Sequence, residues 1–244
     1  LKIFMIISIE TSTSDLSLTL LNKETVINHI SIPYKNELSE IIVPTIKKFL
    51  HDNSISFSEV SFLAVGCGPG SFTGIRSIIS TALGIKISNN HIKSIGVNSL
   101  AGLAMSALDE AKKLNLKYII SSIDSKKDDL FLQLFKINDI KTKLLPFIAI
   151  SDIGTVKVEN LHNYFVINNI SLRDILFFGY QSNTVNKLID HLNISKNSIQ
   201  HPDSLGIGKL ASCLISNTIN LNKTSLAFDK FKPIYVRSAQ INLK

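Results

Sequence analysis

The chain has no tryptophan, two cysteines, two methionines and six prolines in 244 residues. Cys67 and Cys213 make neither a disulfide framework nor a thiolate metal cluster. Arginine is scarce: of 26 basic residues only Arg76, Arg173 and Arg237 are arginines. Against 19 acids this leaves a net charge of +7 that lysine dominates. Such an excess attracts phosphate weakly and without specificity, and a solvated lysine surface is its expected meaning. The six histidines include no pair four residues apart and no H-E-x-x-H, so no metal site is expected. Long apolar runs are missing too. Ile3 to Ile7 is far too short to span a bilayer. With no signal-peptide cleavage pattern at the N-terminus, a cytoplasmic location is expected. What is present, 45% apolar and 18% charged residues, is enough to bury one large core or two small ones.

Glycine is also sparse, at 11 residues, yet Gly66, Gly68, Gly70 and Gly74 fall within nine positions of "AVGCGPGSFTGIRS". The stretch is not a phosphate loop of the G-x-x-x-x-G-K-[ST] kind, because no lysine follows Gly70 or Gly74. It is not a dinucleotide fingerprint either, since Ser71 stands where the third glycine belongs. Pro69 removes a backbone donor that a phosphate nest would use. A tight strand-to-helix turn is expected, with Ser71 or Thr73 capping the helix. An anion held at that helix N-terminus, within reach of Arg76, is the second reading. Cys67 inside the turn is expected to be a buried small residue rather than a nucleophile, because no base is in view.

The two halves of the chain resemble each other. Ile6–Leu20, "IISIETSTSDLSLTL", and Ile120–Leu134, "ISSIDSKKDDLFLQL", match at seven of 15 positions at a constant offset of 114. Glu10 falls opposite Asp124, and Asp15 opposite Asp129. Each copy reads as strand, polar turn, strand. In the first half a strand at Thr25–Ile32 follows, then a helix at Leu38–Leu50, a strand at Ser61–Val65, the glycine turn and a helix at Thr73–Ile87. A strand at Ile92–Val97 and a helix at Ser99–Leu114 complete it. Three meandering strands and then alternating helix and strand is the ribonuclease-H-like order. Two such domains, 1–105 and 106–244, predict an α/β protein of actin-like architecture. In the second half, strands are expected at Tyr164–Asn168 and Ile175–Phe178, and helices at Thr184–Leu192 and Leu205–Asn217.

The helix after Gly74 is unusual. Ile75, Ile78, Ile79, Ala82, Leu83, Ile85 and Ile87 form a wide apolar arc, and the opposite face carries Ser77, Ser80, Thr81 and Gly84. A helix lying on a sheet normally turns charge outward. Small residues there fit either cover by another part of the chain or a partner-binding face.

Together "ISIETSTSDLSLTLL", "AVGCGPGSFTGIRS", "IGVNSLAGLA", "IDSKKDDLFLQLF" and "KPIYVRSAQI" resemble, in order and spacing, the bacterial TsaB (YeaZ) family. That resemblance implies an actin-like fold and a non-catalytic subunit. Its partners would be the paralogue TsaD and the ATPase TsaE. Together they attach threonylcarbamoyl to the adenosine 3′ of the anticodon in tRNAs reading codons that begin with A. It further implies a four-helix bundle with TsaD, formed on this chain by Leu38, Ile41, Thr45 and Phe49 of one helix and Ile75, Ser77, Ile78, Thr81 and Gly84 of the next. A homodimer through the same face is expected when that partner is missing. The phosphate-clamp turns are expected as vestiges at Glu10, Thr11, Ser12 and Asp124. Glu10 replaces the family's aspartate, and "YKNELSEII" lacks its histidine. The glycine pair that holds adenosine in actin-like ATPases has no match, since "FFGYQSN" offers only Gly179. Independent nucleotide binding is therefore not expected; ATP or ADP with Mg²⁺ belongs to the complex, and tRNA is met through it. The competing expectation is a stand-alone actin-like ATPase or phosphotransferase, with Glu10, Asp15, Asp124 and Asp129 around Mg²⁺.

Overall fold

The computed structural model describes residues 4–35, 38–138, 145–167, 170–196, 200–217, 219–221 and 224–236. The end of the closing motif, 237–241, lies outside them. In the first half the elements are β1 Met5–Glu10, β2 Asp15–Asn22, β3 Thr25–Pro33, α1 Leu38–Asp52, β4 Val60–Gly66, α2 Phe72–Ser88, β5 Lys93–Val97 and α3 Ser99–Lys113. The second half continues with β6 Tyr118–Asp124, β7 Leu130–Ile137, β8 Phe147–Ala149, β9 Gly154–Val156, α4 Leu161–Ile167, β10 Ile175–Gly179, α5 Ser182–Leu188, β11 Asn193–Ile194, α6 Ser204–Ser216 and β12 Ala227–Phe228.

The strands form two sheets of like topology. One runs β12-β5-β4-β1-β2-β3, the other β11-β10-β6-β7-β8, with β9 also on β7. In each, a meander of antiparallel strands is extended by parallel ones reached through a helix: β4 is parallel to β1, and β10 to β6. This is the duplicated ribonuclease-H-like arrangement of an actin-like fold. The central strands β1 and β6 are buried almost throughout because both faces are covered.

Helices α3 and α6 join the two halves. Ala101, Ala104, Ala107 and Ala111 of α3 share one core with Ile119 and Phe178 of the second sheet and with Ile207, Leu210 and Leu214 of α6. The helices cross closely at small residues. A Cβ on Gly206 would lie 2.2 Å from the Gly102 carbonyl oxygen. In turn, α6 is docked on the first sheet by hydroxyls: Ser8 Oγ donates to the Ser204 carbonyl at 2.7 Å, and the Ser204 amide donates to Ser17 Oγ at 2.8 Å. Asp203 caps α6 through the Gly206 amide at 2.9 Å. A division at 105/106 falls inside α3, and β12 returns the chain to the first sheet.

Two expectations for the second half need correction. Residues 164–167 belong to helix α4 and not to a strand, and Leu161 and Phe165 carry its buried side. Four apolar residues in succession do not separate strand from helix, and the four-residue repeat of Leu161 and Phe165 decides it. The helix expected to reach Leu192 ends at Leu188, and Asn193–Ile194 turns into β11.

Candidate functional site

The glycine turn lies on the β1–β2 turn and not around an open cradle. A Cβ on Gly70 would come within 2.3 Å of the Ser12 carbonyl oxygen, and one on Gly74 within 2.1 Å of the Thr11 carbonyl oxygen. The Thr11 hydroxyl donates to the Gly74 carbonyl at 2.9 Å, and the Ser71 amide to the Ser12 carbonyl at 2.7 Å. Ser71 is the cap: its Oγ accepts the Gly74 amide at 3.2 Å. Thr73 is exposed and caps nothing. Other donors that a phosphate would need are committed as well. The Cys67 amide bonds the Val97 carbonyl at 2.8 Å, and the Gly68 amide bonds Ser99 Oγ at 3.1 Å. Three segments thus converge here: the β1–β2 turn, the start of α3, and the chain's last described residues. The Ile234 amide donates to the Cys67 carbonyl at 2.8 Å.

Glu10 sits at the centre of this junction, fully buried. Its Oε1 accepts the Thr11 and Ser12 amides at 2.7 and 2.6 Å, and Ser99 Oγ donates to Oε2 at 2.7 Å. The carboxyl fills the space over Gly66, where a Cβ would lie 1.9 Å from Oε2. Burial raises its pKa; the Ser99 hydroxyl and the Thr11 and Ser12 groups pull the other way and do not reverse the shift. Tyr34, whose hydroxyl donates to the Thr13 carbonyl at 2.9 Å, is pushed up to about 12 by burial and by the Glu10 and Asp15 carboxylates.

The four acids weighed as Mg²⁺ ligands are each engaged by groups of their own turns or of neighbouring elements. Asp124 accepts the Lys126 amide at 2.8 Å and pairs with Lys126 Nζ at 2.9 Å. Asp15 accepts the Ser14 and Ser31 hydroxyls at 3.1 and 3.0 Å, and Asp129 accepts Ser125. Among the described residues no three His, Cys, Asp or Glu side chains gather as metal ligands. Cys67 is equally enclosed: burial, with the Glu10 carboxylate, pushes its thiol up to about 12. Iodoacetamide at neutral pH is therefore expected to leave Cys67 unmodified in the folded protein and to reach it only on unfolding; peptide mass mapping checks this, and labelling of Cys67 before the unfolding transition would contradict it.

The α1–α2 surface sorts the nine residues expected at a partner face. Leu38, Phe49, Ile75 and Ile78 point inward, into a core with β1, β2 and β4, and so do not reach the surface. Ile41, Thr45, Ser77, Thr81 and Gly84 face outward or part-way. Between the helices runs a groove of about 450 Å³, with Val43, Ile46 and Phe57 on one side and Thr81, Gly84 and Ile85 on the other. A Cβ on Gly84 would meet nothing within 4 Å. Sequence reasoning missed Val43, and it assigned Leu83 and Ile87 to the same arc as the core residues; all three are exposed, Ile87 by 82%. An apolar arc of about 200° is wider than one buried face needs. The excess itself was the available signal.

The family profile described as "TsaD: tRNA N6-adenosine threonylcarbamoyltransferase" matches residues 26–237. A curated relative from Escherichia coli K12, "tRNA threonylcarbamoyladenosine biosynthesis protein TsaB", is 30% identical over 126 residues, 52% of each chain. The protein of the same name from Buchnera aphidicola of Schizaphis graminum is 34% identical over 122 residues, 50% of this chain and 56% of that one. These matches span about half the length of the curated relatives. In three dimensions the chain is similar to "YeaZ from Pseudomonas aeruginosa", with TM-score 0.72 at 17% identity over 96% of this chain and 100% of that one. No described helix is long and apolar enough to cross a membrane. The chain belongs to the family that this profile describes, that of the tRNA N6-adenosine threonylcarbamoyltransferase TsaD.

Proposed function

We propose that this chain is a non-catalytic subunit of tRNA threonylcarbamoyladenosine biosynthesis. It docks a TsaD-type paralogue through the outer face of α1 and α2 and holds it in a state competent to modify the adenosine 3′ of the anticodon in tRNAs reading codons that begin with A. The observation that carries this reading is the α1–α2 face, where a mostly apolar groove, with Lys47 as its one charged lining residue among the described residues, is flanked by exposed Val43, Leu83 and Ile87 and opened by Gly84. Exposed aliphatic residues on two neighbouring helices fit a facing helix pair. The inward-turned Glu10 favours a scaffold over a phosphoryl-transferring role, because its carboxyl bonds its own backbone. ATP, ADP and Mg²⁺ belong to the assembled complex, in which a TsaE-type ATPase joins at the subunit junction.

Co-elution with the TsaD paralogue of the same organism tests this. Gly84→Arg and Ile87→Asp alter exposed positions and are expected to leave the fold intact, yet to weaken the complex by more than about 30-fold, as loss of an interface hot spot does. Normal co-elution of both variants would remove the interface assignment. Sustained ATP turnover by the chain alone would remove the non-catalytic reading.

A further inference from the structure

At the head of α2, beside the glycine turn, two aromatic rings and a guanidinium form an exposed cluster. Phe72 and Tyr235 are 42% and 47% exposed, with ring centroids 5.5 Å apart. Arg76 lies over the Phe72 ring at 3.8 Å from its centroid, and its Nε donates to Tyr235 Oη at 2.8 Å. This ordering fixes the guanidinium while leaving both Nη groups without a hydrogen-bond partner, and Arg76 without a carboxylate partner, among the described residues. Exposed Lys230 and Lys232 lie on the same segment as Tyr235, and the whole chain carries +7. Tyr235 also borders an open cleft of about 690 Å³, whose other walls include the polar residues Asn98, Gln133 and Ser151 and the acid Asp152.

We propose that the Phe72–Arg76–Tyr235 cluster binds a single-stranded segment of RNA, with an unstacked base on an exposed ring and its phosphate on the Arg76 Nη groups. The chemistry is that of sequence-tolerant single-strand binding: rings offer stacking faces, and an arginine held planar offers paired donors to a phosphate. The cleft beside Tyr235 gives a splayed base room to enter. The paired rings and the ordered guanidinium separate this surface from the α1–α2 groove, which is mostly apolar with Lys47 at its wall and suits a protein. The inference rests on the tRNA pathway proposed above for the kind of nucleic acid, but its test uses the chain alone and so fails independently of partner docking.

Because the chain has no tryptophan, Tyr235→Trp gives a single fluorescent reporter that keeps a ring in place. Titration with a stem-loop RNA is expected to quench it, and a blunt duplex of equal length is not. Anisotropy with the same labelled RNAs should show the natural chain preferring the stem-loop. Phe72→Ala and Tyr235→Ala should each weaken stem-loop binding by about 5- to 50-fold with little change in salt dependence. Arg76→Gln should weaken it and lower the slope of log affinity against log salt by about one. Thermal melts identify any variant whose fold has loosened, and the tryptophan reporter then decides. Stem-loop binding without quenching would place RNA elsewhere, and equal affinity for stem-loop and duplex would reduce the effect to lysine background. Either result overturns the proposal, as does loss of co-elution with the paralogue in ring variants that bind RNA normally.

Discussion

Two glycines of α2 are expected to respond to alanine in opposite directions. Gly74→Ala places a Cβ 2.1 Å from the Thr11 carbonyl oxygen and 3.1 Å from the Tyr34 hydroxyl. The nearest atom is backbone, and that backbone is pinned: the Ser12 carbonyl accepts the Ser71 amide, and Glu10 gathers the Thr11 and Ser12 amides. Neither side yields without breaking the Thr11–Gly74 hydrogen bond, so the substitution should cost roughly 2–3 kcal/mol, the upper range for overpacking. Gly84→Ala meets open space. There the helix-forming gain acts alone, and stability should rise by roughly 0.5–1 kcal/mol. Urea unfolding of the two variants measures both. Equal stability would mean that the glycine turn is not packed against the β1–β2 turn as described. The comparison also separates packing from partner binding, since Gly84→Ala leaves the groove nearly unfilled whereas Gly84→Arg fills it.

The glycine cluster shows how far the sequence could be read. The absence of a phosphate-loop lysine and the presence of Pro69 argued against a nucleotide cradle, and both are local facts. That Gly66, Gly70 and Gly74 are needed because Glu10, Ser12 and Thr11 lie directly on them depends on contacts more than 50 positions away in the chain, which no local period reports. The offset of 114 was legible because it repeats strand, turn and acid together, and it corresponds to β1–β2 and β6–β7. The placement of α3 against the second sheet and α6 against the first was not, because helical amphipathicity says that a face is buried and not by which sheet. The same limit explains the partner face. Periodicity put Ile78 and Leu83 on one arc, and only the tertiary packing separates the fully buried residue from the half-exposed one. The Phe72–Arg76–Tyr235 cluster joins residues 159 positions apart at its closing hydrogen bond, so composition could mark Arg76 as rare but could not place it.

Glu10→Gln is expected to stabilise the protein above pH 4.5 and to be neutral below it. Folding buries the carboxyl completely, with no cation beside it among its partners, and raises its pKa above the ordinary 4.5. Below that value folded and unfolded chains both carry the proton, so Glu and Gln differ little. As pH rises, the unfolded chain releases the proton first, and stability falls until pH passes the raised folded value; each unit of separation is worth about 1.4 kcal/mol. Glutamine keeps the neutral geometry. Its carbonyl can accept the Thr11 and Ser12 amides, and its amide can donate to Ser99 Oγ, which can turn its own hydrogen aside. The advantage of Gln should therefore open between pH 4.5 and the raised value and then stay constant, apart from titrations common to both proteins. Paired urea titrations from pH 4 to 8 give the difference directly. A wild-type protein that gains on the variant as pH rises would show the opposite balance, with the two amides and the Ser99 hydroxyl stabilising an ionised Glu10 by more than burial costs. The glycine turn would then be assembled around a charge, and removing that charge should loosen α2 and its outer face together.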